Sequence, residues 1–224
     1  MPEETGAAAE REVVVTAGDA SLAGTLAAPA APRGVVLFAH GSGSSRFSPR
    51  NRFVAAELRK AGLATLLIDL LTRAEEVEDQ ATGALRFDID LLARRVVAAV
   101  DWLGEDPATA GLPVGLFGAS TGAAAALVAA SLRPARVAAV VSRGGRPDMA
   151  DRALALVGAP TLLLVGECDT LVISLNRQAL ARLRCEKELV IVPGAGHLFE
   201  EPGTLEEVAA RARDWFRSRL PSAG

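Results

Sequence analysis

The stretch PVGLFGASTGAAAALVAASL, Pro113–Leu132, decides the fold. Pro113–Phe117 is a short apolar run suited to a strand, and Thr121–Leu132 is a small-residue helix that stops before Pro134. Between them stands Gly118-Ala119-Ser120-Thr121-Gly122, a G-x-S-x-G pattern. A turn sharp enough to lift a serine out of the backbone crowds the positions two before and two after it. Side chains there must be nearly absent. The pattern is short, and it gains its weight from standing at a strand–helix junction. The plainer alternative is a glycine-rich turn that packs Ala123–Ala126 onto a sheet.

Outward from this stretch, apolar runs alternate with helical patterns. Strands are expected at Glu12–Thr16, Leu22–Ala28, Gly34–Ala39, Ala64–Ile68, Pro113–Phe117, Val137–Val141, Thr161–Val165 and Leu189–Val192. From the third onward they are continuous Val/Leu/Ile/Ala runs, as strands covered on both faces require. Helices are expected at Arg50–Ala61, closed by Gly62, at Asp88–Leu103, followed by Gly104, and at Thr121–Leu132, Ile173–Leu183 and Leu205–Arg219. Thr204-x-x-Glu207 reads as a capping box opening the last one, and its basic run Arg211–Arg219 as a solvated face. A hairpin followed by β-α-β-α repetition implies a mostly parallel eight-stranded sheet with helices on both faces. In such a sheet ligands bind at the carboxyl ends of the strands. Residues 1–11 are expected to be a disordered tail and residues 12–224 a single domain, with no internal repeat or linker.

A serine hydroxyl needs a base to become a nucleophile, and that base needs an orienting carboxylate. The chain has two histidines. His197 lies in the loop PGAGHLF (Pro193–Phe199) after the last strand, and His40 ends the third strand. Asp169 follows the penultimate strand, with Glu167 as its rival. The order Ser120, Asp169, His197 places each after a separate strand, as a nucleophile–acid–base set on such a sheet requires. His40 reads better as a loop anchor than as a base. A tetrahedral intermediate also needs backbone N–H donors; Thr121, after the nucleophile, and Ser42, with Gly41 close behind it, are the candidates. Gly41-x-Gly43-x-x-Arg46 with Asp69 resembles a dinucleotide fingerprint but lacks its third glycine.

Composition narrows the classes further. The chain has 224 residues, a net charge of −3 and a hydrophobic fraction of 50%, enough for a sizeable core without staples. The acidic balance gives no electrostatic case for nucleic acid or an anionic membrane. Cys168 and Cys185 form no Cys-x-x-Cys, and two histidines without H-E-x-x-H furnish no standard metal site. The acidic start MPEETGAAAERE is unlike a signal peptide, and a cytoplasmic protein is expected.

The chain resembles the α/β-hydrolase superfamily, and within it the dienelactone-hydrolase-like branch, from about Val13 to Leu220. The resemblance rests on HGSGSS (His40–Ser45), DLLT (Asp69–Thr72), RFDIDLLARR (Arg86–Arg95), GASTG (Gly118–Gly122), SRGGRPD (Ser142–Asp148) and PGAGHLFEEPG (Pro193–Gly203). Similar domains are found appended to phosphoribosyltransferase-like domains in bacteria. The resemblance implies an α/β-hydrolase fold and a carboxylic ester or lactone hydrolase that uses no cofactor. It makes Ser120 the nucleophile, Asp169 the acid and His197 the base. Dienelactone hydrolases proper carry cysteine on the elbow and pair it with a glutamate. Here the elbow holds Ser120, which turns the expectation from dienelactones toward ester hydrolysis by a serine triad.

Only Ser142–Pro160 separates the strand after the elbow helix from the next one, so no lid domain is expected and the substrates are small. Arg73, Arg143 and Arg146 in the strand-end loops are candidates for a carboxylate clamp, with Arg73 and Arg143 foremost. Ion pairs with Glu75, Glu76 or Asp148 are the plainer alternative. Cys168 is expected to be inert. The expected partner is thus a small-molecule ester or lactone, with no nucleic acid or membrane, and a homodimer is left open. Two other classes remain: an acyltransferase or lyase using the same triad, and a non-catalytic binding protein on the same fold.

Overall fold

The computed structural model describes residues 9–220. Eight strands form one sheet in the order β1-β2-β4-β3-β5-β6-β7-β8. These are β1 (Ala9–Ala17), β2 (Ala20–Ala28), β3 (Val35–Ala39), β4 (Ala64–Ile68), β5 (Val114–Ala119), β6 (Val137–Arg143), β7 (Thr161–Gly166) and β8 (Lys187–Val192). β1 and β2 form an antiparallel hairpin, β2 meets β4 antiparallel, and every later pairing is parallel. Residues 1–8 of the expected tail lie outside the described residues. Residues 9–11 are not tail: they pair with Ala28, Ala27 and Leu26 and lengthen the hairpin.

β3 to β7 are buried on both sides almost throughout, whereas β8, expected to be covered on both faces, is an edge strand exposed or half-buried as far as Ile191. Val35, Leu37 and Ala39 of β3 enter one core, while Val36 and Phe38 enter the other. α1 (Pro49–Lys60) and α6 (Thr204–Arg219) cover the second face. α3 (Ile89–Glu105), α4 (Thr121–Leu132) and α5 (Thr170–Arg182) cover the first. Leu92, Val96, Val100 and Leu103 of α3 are buried at helical spacing, and Asp88 caps the helix by accepting from Leu91 N at 2.9 Å. The helix runs two residues past Leu103, through Gly104. Gly62 closes α1 at φ +82°.

One helix has no counterpart in the apolar pattern. α2 (Arg73–Thr82) is polar, and its only buried residue is Asp79. It is opened by a capping box: Thr72 Oγ1 accepts from Glu75 N at 3.2 Å, and Glu75 Oε2 accepts from Thr72 N at 2.7 Å. The capping box expected at Thr204–Glu207 does not form. Gly203 at φ +82° is the N-cap of α6, and the Thr204 hydroxyl is engaged by Glu201 O at 2.7 Å. Between β6 and β7 there are only the short 3-10 turns of Pro147–Leu156, so the connection carries no lid domain.

Candidate active site

Ser120 joins β5 to α4 at φ +49° and ψ −123°, a conformation that side-chain-bearing residues rarely adopt. A Cβ on Gly118 would stand 2.7 Å from Ala123 N, and one on Gly122 would meet the carbonyl oxygens of Ala39 and His40. Both flanking glycines are therefore required by close approach. The segment after β6 grips the serine from both sides: Ser120 N donates to Arg143 O at 3.4 Å, and Arg146 N donates to Ser120 O at 3.0 Å.

His197 Nδ1 lies 2.5 Å from Asp169 Oδ2. The imidazole is partly open, and the carboxylate is mostly covered. Glu167 serves the loop instead, its Oε2 accepting from Gly194 N at 2.8 Å. Cys168 N donates to Ala195 O at 2.9 Å, stitching the two strand-end loops together, while the Cys168 side chain is exposed. His197 backs onto Gly144, where a Cβ would be 3.1 Å from His197 O and 3.6 Å from Nδ1. Among the described residues, no hydrogen bond closes between Ser120 Oγ and His197; such bonds are commonly long before substrate binds.

The loop after β3 approaches the serine from the other side. A Cβ on Gly41 would be 2.9 Å from Ser120 Cβ, and Ser42 Oγ lies 3.0 Å from Thr121 Oγ1. Thr121 opens α4, so its N–H lacks a helical acceptor. His40 is buried beneath this loop. Its Nδ1 faces Gly41 O at 2.9 Å and its Nε2 accepts from Leu70 N at 3.0 Å. Both bonds need the neutral ring with its proton on Nδ1, and burial pushes its pKa down. His40 is a loop anchor.

A cavity of roughly 430 Å³ begins at Gly41, Ser42 and Thr121. Leu70, Leu71, Leu92 and Phe47 supply its apolar wall, and Glu76, Asp79 and Arg86 a polar one. α2, unseen in the apolar pattern, builds that polar wall; its sequence signal was Thr72-x-x-Glu75. Asp79 is tied to Arg86 Nε at 2.6 Å. Burial and the nearby Asp69 carboxylate push the Glu76 pKa up.

The arginines separate. Arg73 is exposed on the first turn of α2 and is not brought to the cavity. Arg146 grips Asp148 through two bonds of 2.9 and 2.8 Å. Arg143 does not line the cavity either; it is 8% exposed, and its Nη1 is buried without a partner. No ion pair reaches Arg143 among the described residues. Burial, with the Arg50 charge nearby, lowers its pKa to about 10.

Sheet order, elbow and strand-end loops define an α/β-hydrolase. The chain belongs to the dienelactone hydrolase family, whose pattern it matches over residues 22–220. It is 59% identical to a dienelactone hydrolase from Anabaena variabilis, with a TM-score of 0.93 over 95% of this chain and 99% of that one. Est1E from Butyrivibrio proteoclasticus shares the fold at 14% identity, with a TM-score of 0.76 over 93% of this chain and 98% of that one. A Mycobacterium tuberculosis protein provisionally named a phosphoribosyl transferase is 56% identical over 215 residues. That match takes in 96% of this chain and 48% of the relative, so the chain spans about half the length of the curated relatives it matches. No helix among the described residues is long and apolar enough to cross a membrane.

Proposed function

We propose that the chain is a serine hydrolase that cleaves small carboxylic esters or lactones through an acyl-enzyme on Ser120. The observation that carries this is the His197–Asp169 pair at 2.5 Å, packed on Gly144 of the segment that bonds the backbone of Ser120 in its strained elbow. Asp169 fixes the proton on His197 Nδ1 and leaves Nε2 as the base. Ser120 Oγ gives its proton to Nε2 and attacks the acyl carbon, while the N–H groups of Thr121 and Ser42 hold the developing oxyanion. His197 then passes the proton to the leaving alkoxide, and a water activated the same way releases the acid. The cavity beside Gly41 and Thr121 is large enough for a small acyl or alcohol part.

Arg143 adds a preference to this reading. A guanidinium that is buried, without an ion pair among the described residues, and directly opposite Ala119 in the sheet register is unexplained by the fold. It would take a carboxylate on the substrate.

The test is hydrolysis of p-nitrophenyl acetate and butyrate, with fluorophosphonate labelling of wild type and Ser120→Ala. Turnover and labelling in the wild type, both lost in the variant, are expected. Labelling elsewhere, or turnover that survives the substitution, overturns the reading. Product partition toward an added alcohol would move it to acyl transfer.

A further inference from the structure

Asn176 is the polar exception in the buried stripe of α5. Val172, Asn176, Ala179 and Leu183 face the core at helical spacing, and Asn176 is fully buried. Its Nδ2 donates at 2.8 Å to Val172 O within the helix, and at 3.0 Å to Gly145 O in the segment after β6. Its Oδ1 is buried without a partner among the described residues, as is Ser142 Oγ, which lies against Gly145. A leucine would remove that orphaned oxygen but would leave the buried Gly145 O without its donor. The bond to Gly145 O is what the amide supplies and a leucine could not.

The acceptor explains more. Gly145 stands in the middle of the segment that grips the serine, between Arg143 O, which accepts from Ser120 N, and Arg146 N, which donates to Ser120 O. Its neighbour Gly144 lies against His197. It is itself pressed between Ser142 and Ala123, so it cannot swing freely. α5, for its part, has Asp169 as its N-cap. The Asn176–Gly145 bond thus joins the helix that starts at the acid to the segment that clamps the serine and backs the histidine. Among the described residues it is the only side-chain hydrogen bond from α5 to residues 143–146.

We propose that Asn176 is a positioning residue, which sets the reach between Ser120 and His197 by holding residues 143–146 at a fixed distance from Asp169. The inference rests on the triad reading above and goes beyond it: the three members are kept in register by one buried amide.

The test compares Asn176→Leu and Asn176→Ser with Ala179→Gly, a buried site on the same helix with no bond to the segment. Two readouts are needed: kcat and KM for p-nitrophenyl butyrate, and the histidine ring signals in NMR. With two histidines in the chain, His40 is an internal reference. The Asn176 variants are expected to lose about 10- to 100-fold in kcat, the effect of a misplacement near an ångström, with KM little changed. The His197 ring signals shift while those of His40 stay, and Ala179→Gly moves neither. The Ser variant carries the test if the Leu variant does not fold. The proposal is overturned if folded Asn176 variants keep wild-type kcat and His197 signals. It also falls if Ala179→Gly, at equal loss of Tm, reproduces both effects. A wild type without esterase turnover would fail the hydrolase reading alone, and the NMR arm would still decide whether Asn176 sets His197.

Discussion

The two histidines sit in corresponding loops, after β3 and after β8, and are used in opposite ways. His40 is buried with both ring nitrogens bonded to backbone, one to Gly41 O and one to Leu70 N. His197 is partly exposed, with one nitrogen bonded to Asp169 and none bonded from the other among the described residues. A polar side chain whose atoms are all engaged fastens the structure. His197 keeps one ring nitrogen open. The arginines divide on the same line: Arg146 is paired with Asp148, and Arg143 has no ion-pair partner among the described residues.

The largest effect that could break this comparison is on turnover. His197→Ala is expected to lower kcat by roughly ten-thousand- to a million-fold with the fold intact, whereas His40→Ala should retain far more activity per folded molecule. Circular dichroism and active-site titration of both variants check this, and comparable losses per folded molecule would erase the distinction. Next comes the acid. Asp169→Asn should cost about ten-thousand-fold in kcat, while Glu167→Gln, which loses only its bond to Gly194 N, should cost a few-fold at most; steady-state kinetics on one ester sharpen the assignment.

The arginine half of the comparison is milder. Arg143→Met should lower kcat/KM for a carboxylate-bearing ester by about 10- to 100-fold, the worth of one charge-assisted hydrogen bond. A neutral ester should be little affected, and Tm should not fall, because an unpaired buried charge is replaced by an apolar chain. Arg146→Met should leave the ratio between the two esters alone. An unchanged ratio in Arg143→Met would remove the clamp.

The smallest effect is on stability. His40→Ala leaves the buried Leu70 N–H without its acceptor, at a cost of about 1–3 kcal/mol measurable by urea unfolding. The folded state disfavours His40 protonation relative to the ordinary value of 6.5. The unfolded chain therefore binds the extra proton, and stability falls as pH drops below about 6.5 toward the folded value. A His40 variant should flatten that limb of the stability–pH curve; an unchanged limb would place its origin elsewhere.

Much of this is legible in the sequence. All eight strands stand where the sequence predicts them, with ends differing by a few residues; β3 to β7 are buried on both faces and must be apolar throughout, while β1, β2 and β8 are partly exposed. The elbow was legible for a different reason: its constraint is local, and Gly118, Ser120 and Gly122 satisfy it within five residues. α2 was not, because its polar sequence has no apolar stripe to betray it and it is held by the cap at Thr72 and by Asp79 on Arg86. The cavity it lines draws on segments far apart in the chain. Thr204-x-x-Glu207 had the right letters, yet Gly203 took the cap position because the preceding turn needs a positive φ there. Asn176 was invisible for the opposite reason, since a single amide inside an apolar stripe reads as surface until its partner Gly145 is seen.

Ser120 is one of three non-glycine residues among those described that hold a positive φ, with Asp151 and Phe199. Such a conformation costs on the order of 1–3 kcal/mol, and glycine would adopt it without that cost. Selection for folding alone therefore pulls this position toward glycine, and on the proposed reading use of the hydroxyl opposes that drift. Position 120 is thus a dating mark for descendants of this chain. On that reading a copy with glycine there and the rest of the elbow intact would have lost the reaction and kept the scaffold, and it should melt at a higher temperature than this chain.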